Sequence, residues 1–267
     1  MRNSNQVFRA LHCGSEPLLL PNAWDAASAV LLQKAGAKAI GTSSAALAWS
    51  LGYADGGALP RDELLAAIAR LMRVISVPLS VDIEAGYSDD PSKVAALASN
   101  LVEMGVAGVN LEDGAQPPAL LAGKIAQVRN NARCDGLFIN ARTDVYLRRL
   151  APKEGSVLMT LERAKLYKQA GADALFVPGL AQTQALASIS KEAGLPLNLM
   201  ALPNMPPIGE LVEAGMRRLS LGPAIFNSAY GLASTRAAAF VSTGATDGLF
   251  ADGVDYQSMN ELMAGAK

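Results

Sequence analysis

The sequence predicts a (β/α)8 TIM barrel, because eight short apolar runs alternate with eight longer helical patterns along 267 residues. This length suits one large α/β domain, and a hydrophobic content of 51% supplies its core. The competing fold, a doubly wound open sheet, normally has a glycine-rich phosphate loop after an early strand. Gly56 and Gly57 are isolated and follow no strand directly. We therefore expect a single barrel domain over residues 1–267, ending in a helical tail.

The predicted strands are short runs of apolar and β-branched residues bounded by turn residues. In chain order they cover residues 18–24, 39–44, 78–84, 108–113, 137–144, 174–180, 196–201 and 218–223. A helical pattern follows each of them. The predicted helices cover residues 25–36, 61–75, 90–105, 118–131, 156–171, 182–194, 208–215 and 224–241.

Capping residues support the predicted helix boundaries. Asp25 is suited to cap the first helix, and Pro91 lies in the first turn of the third, where its missing N–H is not needed. Glycine in an Ala-Gly or Met-Gly pair closes several helices, where it can adopt the left-handed conformation. The tail, residues 243–267, is predicted as a loop with one last short helix that packs on a partner subunit.

Composition excludes several classes of function. The net charge is −1 and no run of lysine or arginine occurs, so we expect no nucleic-acid partner. No apolar run has the roughly 20 residues that a membrane-spanning helix needs, and residues 1–16 are polar, unlike a signal peptide. Cys13 and Cys134 are too few for a disulfide scaffold or a zinc site. We therefore expect a cytoplasmic protein with reduced thiols.

Two further features of composition bear on function. The only histidine, His12, lies in the polar leader, which disfavours mechanisms with a histidine base deep in the fold. The charged fraction of 18% is below the usual quarter. We infer that part of the surface of the chain is shielded from solvent, either between subunits or inside the barrel.

Acidic residues lie at the carboxyl ends of two neighbouring predicted strands, where the chemistry of a barrel takes place. Asp82 and Glu84 end the third strand and point the same way, while Glu112 and Asp113 end the fourth. Converging acids repel one another unless a cation lies between them, and oxygen-only ligands favour Mg²⁺ or Mn²⁺ over zinc. The alternative is that each acid caps a helix or pairs with a lysine of the barrel.

Two other side chains at strand ends are candidates for the site. Arg142 ends the fifth strand and could clamp a substrate carboxylate bidentately, or form a structural ion pair with Asp144 or Glu112. Trp24 ends the first strand and lines the pocket or belongs to the core.

Seven motifs occur in an order that resembles the isocitrate lyase/phosphoenolpyruvate mutase superfamily, and the resemblance runs from about residue 18 to residue 225. They are Leu-Pro-Asn-Ala-Trp-Asp, Ser-Leu-Gly-Tyr-Ala-Asp, Val-Asp-Ile-Glu-Ala-Gly-Tyr, Asn-Leu-Glu-Asp-Gly, Asn-Ala-Arg-Thr-Asp, Leu-Phe-Val-Pro-Gly and Arg-Leu-Ser-Leu-Gly-Pro. Each motif is weak alone, but the ordered set is specific.

The resemblance implies a metal site and a substrate pocket. Asp82 is the implied direct Mg²⁺ ligand, with Glu84, Glu112 and Asp55 holding the waters of the ion. The second acid is more often aspartate in the lyases, so Glu84 is a longer side chain than usual there.

The resemblance also implies the substrate contacts. A small carboxylic acid is bound through its carboxylate at Thr42, Ser43 and Ser44, while Arg142 steadies the enolate or a carboxylate and Asn198 contacts the far end. The superfamily exchanges its eighth helix between subunits, here residues 224–241, which implies a homodimer or homotetramer.

One motif of the lyases is absent. Their Lys-Lys/Arg-Cys-Gly-His loop, whose cysteine is the general acid, is replaced here by Ala-Gln-Pro-Pro at residues 115–118. Cys134 is expected on the opposite face of the barrel as a packing residue. The lysine and asparagine that gate the phosphonopyruvate enzymes are also missing, and Lys124 is expected to face outward from a helix.

We therefore predict a Mg²⁺-dependent lyase-type enzyme that acts on a small 2-oxo or 2-hydroxy diacid through an enolate. Oxaloacetate-type decarboxylation needs the least equipment, because solvent can protonate the enolate, and cleavage of another C–C bond is equally open. Phosphonate mutase or hydrolase chemistry at a P–C bond is the first alternative. A non-catalytic binding protein on a relic barrel is the alternative from another class.

Overall fold

The computed structural model describes residues 4–251 and 253–266 and contains a nearly closed barrel of parallel strands, so the predicted (β/α)8 fold is confirmed. The strands are β1 (Leu18–Leu20), β2 (Asn22–Ala23), β3 (Ile40–Thr42), β4 (Leu79–Asp82), β5 (Gly108–Glu112), β6 (Phe138–Arg142), β7 (Ala174–Phe176), β8 (Leu197–Met200) and β9 (Met216–Ser220). Pro21 divides the first predicted strand in two. Its first half, β1, pairs with β9 and its second half, β2, pairs with β3, which joins the two edges of the sheet.

The helices surround the strands as predicted, with two additions near the N-terminus, α1 and α3. They are α1 (Ser4–Ala10), α2 (Ala26–Lys34), α3 (Ser44–Ser50), α4 (Arg61–Val74), α5 (Pro91–Glu103), α6 (Pro118–Arg129), α7 (Ser156–Ala170), α8 (Thr183–Ala193), α9 (Ile208–Glu213), α10 (Ala224–Thr243) and α11 (Tyr256–Ala264). Asp25 caps α2 by accepting from Ser28 N at 2.7 Å, and Gly171 ends α7 in the left-handed conformation. No helix in the described ranges is long and apolar enough to cross a membrane.

The N-terminal segment is a plug and not a polar leader, which corrects the sequence-based expectation. Phe8 of α1 is fully buried against the first residues of several strands, and its ring meets that of Phe138 edge to face at 5.3 Å. His12 stacks on Phe138 at 4.2 Å and meets Phe8 edge to face at 4.8 Å. Burial, and then the charge of Arg218, lower the pKa of His12 to about 3, so this imidazole is neutral. The segment closes the barrel at the amino ends of the strands.

A layer of polar side chains fills the barrel interior above this plug. Asn140 donates to Asn110 Oδ1 at 2.8 Å and to Asn198 Oδ1 at 2.9 Å. Arg218, 1% exposed, donates to Asn110 Oδ1 at 3.2 Å. With its oxygen occupied in this way, Asn110 turns its amide nitrogen to Asp82 Oδ2 at 3.3 Å. The layer thus links the floor of the barrel to the predicted metal ligand.

The C-terminal region departs from a simple barrel. Of the 20 residues of α10 only Phe226 is buried, so this helix leaves the barrel instead of covering it. The tail helix α11 packs on α2 of the same chain, through Leu262 and Met263. The tail helix therefore has a place on its own barrel, and a contact of the tail with a partner subunit stays a prediction.

Candidate active site

The carboxyl ends of β4, β5 and β6 bring four of the predicted residues into one mouth. Asp82 is the last residue of β4, and its neighbours in register on β5 and β6 lead to Glu112 and Arg142. Arg142 Nη1 lies 2.6 Å from Glu112 Oε2. Asp82 and Glu84 are both buried, with 6% and 7% exposure. The sequence-based grouping of Asp82, Glu84, Glu112 and Arg142 is therefore reproduced in space.

Glu84 lies at the mouth because of a turn after β4, and not because of the alternation of side chains along a strand. Strand β4 ends at Asp82, and Glu84 has a φ of +49°, in the left-handed region that is strained for a side chain. Its backbone N–H donates to Asp82 Oδ1 at 2.9 Å, and its carbonyl accepts from Glu112 N at 2.9 Å. Tyr87 donates its hydroxyl to Glu84 Oε1 at 3.3 Å. The turn therefore ties the two acids to each other and to the next strand.

The acids of the mouth hold their protons unusually strongly. Burial raises the pKa of Asp82, and Arg142 opposes that effect. Burial and the charges of Asp82 and Asp55 raise the pKa of Glu84 to about 7. Burial raises the pKa of Glu112 to about 8, against the lowering effect of Arg142. Such shifts show that negative charge is costly here unless a cation compensates it.

Asp55 lies in an exposed loop, residues 52–60, that reaches over these acids. Its charge contributes to the raised pKa of Asp82 and of Glu84. In the same loop, a Cβ built on Gly57 would lie 4.0 Å from Glu84 Oε2. The loop therefore approaches Glu84 with its backbone and carries Asp55 to the edge of the mouth.

Arg142 is held between two carboxylates, so both ion pairs weighed in the sequence analysis exist. Besides Glu112, it contacts Asp144 through Nε at 2.7 Å and through Nη2 at 3.1 Å. Although burial lowers it, the charges of Glu112, Asp82 and Asp144 raise the pKa of Arg142 above its ordinary value. Arg142 is a fixed cation at the mouth.

Asp113 is a structural residue. Tyr167 and Arg163 donate to its Oδ2 at 2.5 and 2.6 Å, and the backbone N–H of Asp144 donates to its Oδ1 at 2.9 Å. It is 1% exposed, and these contacts anchor α7 beneath the loop after β6.

The predicted carboxylate-binding segment begins a helix. Thr42 Oγ1 accepts from the backbone N–H of Asp82 at 2.9 Å, and Ser43 Oγ accepts from Ala46 N at 3.3 Å as the N-cap of α3. Ser44 is the first residue of α3 and is half-buried. Two of the three hydroxyls therefore have structural partners, and carboxylate binding by this segment stays a prediction.

Trp24 belongs to an aromatic cluster that sequence reasoning missed. Its ring meets Phe226 edge to face at 5.3 Å, and Phe226 stacks on Tyr230 at 4.0 Å and contacts Trp49 at 5.7 Å. The spacing of Phe226 and Tyr230, one helical turn apart, is the signal that could have indicated it. The cluster forms an apolar wall where α10 begins.

Asn198 is not brought to the mouth. It is fully buried in the polar layer, and its amide nitrogen lies 2.5 Å from Leu199 O. The carboxyl end of β8 is instead occupied by Met200, which packs so closely on Gly222 that a Cβ there would lie 2.7 Å from its sulfur. A substrate contact by Asn198 stays a prediction.

Cys134 and Lys124 lie outside the mouth, and only Cys134 lies as the sequence predicts. Cys134 is 2% exposed at the amino end of β6, beside Ser99, as expected for a packing residue. Lys124 does not face outward, which corrects the prediction. It is 2% exposed and its ammonium donates to the carbonyl of Ala85 at 2.8 Å and pairs with Asp89. Lys124 of α6 therefore holds the segment that follows Glu84. The spacing of apolar residues along α6 does not predict this role.

The acids of the mouth suit a Mg²⁺ ion that one carboxylate binds directly and the other acids bind through water. Within the described ranges, no three Asp, Glu, His or Cys side chains come close enough to enclose a metal ion directly. Asp82 presents a buried carboxylate whose oxygens each accept one hydrogen bond and keep further acceptor capacity. One direct carboxylate, with other acids acting through water, is the manner in which Mg²⁺ usually binds.

Comparison with known proteins identifies the family. The family model of phosphoenolpyruvate phosphomutase matches residues 8–242. An uncharacterised protein of Mycobacterium tuberculosis is 35% identical over 241 residues, which is 89% of each chain. The 2-methylisocitrate lyase of Salmonella typhimurium is 31% identical over 211 residues, 74% of this chain and 70% of that one.

Solved structures agree. A Burkholderia cenocepacia protein provisionally assigned as a phosphonomutase is 35% identical, with a TM-score of 0.83 over 88% of this chain and 98% of that one. A phosphonopyruvate hydrolase complexed with oxalate and Mg²⁺ has the same fold, with a TM-score of 0.85 over 98% of this chain and 95% of that one at 20% identity. The family consists of enzymes, which confirms the enzyme prediction over that of a relic binding protein. The chain belongs to the phosphoenolpyruvate phosphomutase family, within the isocitrate lyase/phosphoenolpyruvate mutase superfamily.

Proposed function

We propose that the protein is a Mg²⁺-dependent lyase that cleaves a C–C bond of a small 2-oxo or 2-hydroxy diacid, or decarboxylates an oxaloacetate-type substrate, through an enolate. The observation that carries this proposal is the mouth itself. Asp82, Glu84 and Glu112 are buried together with raised pKa values beside the fixed cation Arg142. Folding alone does not require this costly arrangement, whereas binding a cation and an anionic substrate does.

The roles of the acids follow from their positions. Asp82 would ligate Mg²⁺ directly, and Glu84, Glu112 and Asp55 would act through its waters. When bound, the ion would polarise the 2-oxo group and withdraw the charge that develops as the bond breaks. Glu84 N and Asn110 Nδ2 hold the Asp82 carboxylate in one orientation.

The remaining residues of the mouth orient the substrate and shield it. Arg142 presents a guanidinium that Asp144 and Glu112 prevent from turning, and a fixed positive charge stabilises developing negative charge without reorganisation. The aromatic cluster of Trp24, Trp49 and Phe226 limits the access of water from one side. The hydroxyl of Ser44 is available for the substrate carboxylate.

The segment after β5 favours a reaction that needs no acid from the protein. Residues 115–118 are Ala-Gln-Pro-Pro, and α6 starts at Pro118, so this loop offers no cysteine or histidine. In a decarboxylation CO₂ leaves and solvent protonates the enolate, which makes that reaction the first choice.

P–C bond chemistry on a phosphonopyruvate-type substrate is the second candidate. It is favoured by the match to the phosphomutase family model and by the likeness to the provisionally assigned phosphonomutase at 35% identity. Both reactions share the 2-oxo acid and the enolate, so one experiment can separate them.

The test is a Mg²⁺-dependent screen of the purified protein with oxaloacetate, phosphonopyruvate, isocitrate, methylisocitrate and C4-substituted malates. Asp82→Ala is the inactive variant, and Asp62→Ala, which removes an acid from the first turn of α4, is the matched control. We expect turnover of one compound that is lost with EDTA and in Asp82→Ala but kept in Asp62→Ala. Neither turnover nor Mg²⁺-dependent binding of oxalate, an enolate mimic, would overturn the proposal.

We also propose that two or four copies assemble by exchanging α10. A groove of about 1100 Å³ lies between α2 and α9 over β1, where a barrel's last helix is expected to pack, and Leu19 of β1 is 51% exposed there. Conversely, α10 carries apolar side chains that are half or more exposed in the single chain or nearly so, namely Tyr230, Leu232, Phe240 and Val241. If α10 of one copy packs in the groove of a second copy, the apolar surfaces of both the helix and the groove become buried. A cytoplasmic location, with free thiols at Cys13 and Cys134, completes the proposal.

A further inference from the structure

The mouth contains a second arginine that the sequence analysis did not consider. Arg148 follows β6 and its Nε lies 3.0 Å from Asp144 Oδ2, the same oxygen that Arg142 Nη2 contacts at 3.1 Å. Asp144 is fully buried, whereas the side chain of Arg148 is 51% exposed. Two guanidinium groups therefore share one carboxylate, one of them inside the mouth and the other at its rim.

The two arginines differ in how many of their guanidinium nitrogens are already bonded to carboxylates. Arg142 uses Nε, Nη1 and Nη2 on the carboxylates of Asp144 and Glu112. Asp144 is the one side chain in the described ranges with which Arg148 forms a hydrogen bond or ion pair, and it does so through Nε. Its two terminal nitrogens, which carry four N–H groups in one plane, donate to no residue of the described ranges, and the side chain is half exposed. Arg148 is thus the uncommitted cation of the pair.

The loop that carries Arg148 is fixed between its neighbours at the mouth. A Cβ on Gly179, which follows β7, would lie 2.8 Å from the backbone nitrogen of Leu147, so the loop rests directly on that glycine. On the other side, a Cβ on Gly114, in the loop after Glu112, would lie 4.0 Å from Arg148 Nε. Arg148 therefore borders the segment in which the lyase motif is replaced.

We propose that Arg148 is a specificity-determining residue that binds a second anionic group, a carboxylate or phosphonate, at the far end of the substrate. This inference rests on the proposed function and deepens it, because it names the residue that recognises the distal anion of such a substrate. Asp144 binds Arg148 through Nε, so the two terminal nitrogens can donate a pair of hydrogen bonds to a distal carboxylate. Arg148 shares Asp144 with Arg142 and pairs with no other carboxylate of the described residues, so part of its positive charge is left for the ligand.

The test measures binding by calorimetry in the presence of Mg²⁺, in competition with oxalate. The probes are 2-oxobutyrate, which ends in a methyl group, 3,3-difluorooxaloacetate, which ends in a carboxylate, and phosphonopyruvate. The variants are Arg148→Gln, Arg148→Lys and the matched control Arg149→Gln, which removes the neighbouring exposed charge. Melting curves establish that each variant is folded.

We expect the wild-type protein to prefer a probe with a distal anion to 2-oxobutyrate by at least about tenfold. Arg148→Gln should reduce that preference about ten- to hundredfold, the effect of one charged hydrogen-bonding group, without changing oxalate binding. Arg148→Lys should retain part of the preference, and Arg149→Gln all of it. Whether difluorooxaloacetate or phosphonopyruvate carries the preference identifies the anion.

The inference is overturned if the wild-type protein binds oxalate but shows no preference for a distal anion, a result that needs no variant. It is also overturned if Arg148→Gln keeps the preference or Arg149→Gln loses it equally. If oxalate does not bind to the wild-type protein, the proposed function fails and this inference fails with it.

Discussion

Glu84 offers a direct measure of how much the acidic mouth destabilises the metal-free fold. Its pKa is raised from 4.5 to about 7, first by burial and then by Asp82 and Asp55. Because the folded-state pKa lies above the unfolded-state value, the native state binds more protons, so stability is lost as pH rises from about 4.5 to about 7. Above that window the loss is complete, and at 1.36 kcal/mol per pH unit it amounts to about 3 kcal/mol.

Glu84→Gln removes this ionisation and keeps the oxygen that accepts from the Tyr87 hydroxyl. In EDTA, we expect the variant to exceed the wild-type free energy of unfolding by about 3 kcal/mol at pH 8 and by less than about 1 kcal/mol at pH 5. Urea denaturation at the two pH values measures the difference, and Glu192→Gln, an exposed acid near the end of α8, is the control.

Two results would refute the reasoning about Glu84. One is a variant no more stable than the wild type at pH 8, which would mean that the carboxylate is not strained by its neighbours. The other is an equal gain at both pH values, which would assign the gain to packing instead of charge. In the wild type, saturating Mg²⁺ should recover much of the loss at pH 8, since the ion binds the native state alone.

Two further predictions concern the loop after β6 and the assembly. Gly179→Ala places a Cβ 2.8 Å from the backbone nitrogen of Leu147 at a φ of +88°. We therefore expect urea denaturation to show a free energy of unfolding lower by at least about 2 kcal/mol, and we expect weaker binding of the distal-anion probes. A variant as stable as the wild type would show that the loop does not rest on this glycine. Light scattering should give twice or four times the chain mass of 27.7 kDa, and Phe240→Asp with Val241→Asp on α10 should shift the protein toward smaller species, whereas a wild-type monomer would remove the exchange proposal.

The sequence by itself determined the architecture and the composition of the mouth. Alternating apolar runs and helical patterns predict parallel strands whose carboxyl ends meet, and so Asp82, Glu112 and Arg142 could be grouped before any contact was known. Capping residues such as Asp25 gave helix starts because a cap is a local interaction.

Tertiary structure decided the features that depend on distant parts of the chain. The closure of the barrel at Pro21, the plug formed by Phe8, the burial of Lys124 and the departure of α10 all depend on which surfaces meet, and periodicity carries no such information. The same holds for Glu84, whose left-handed turn is imposed by hydrogen bonds to Asp82 and to the strand beyond. The sharing of Asp144 by two arginines likewise exists only once β6 and its loop are held between β5 and β7, since an ion pair requires positions in space and not only residue types.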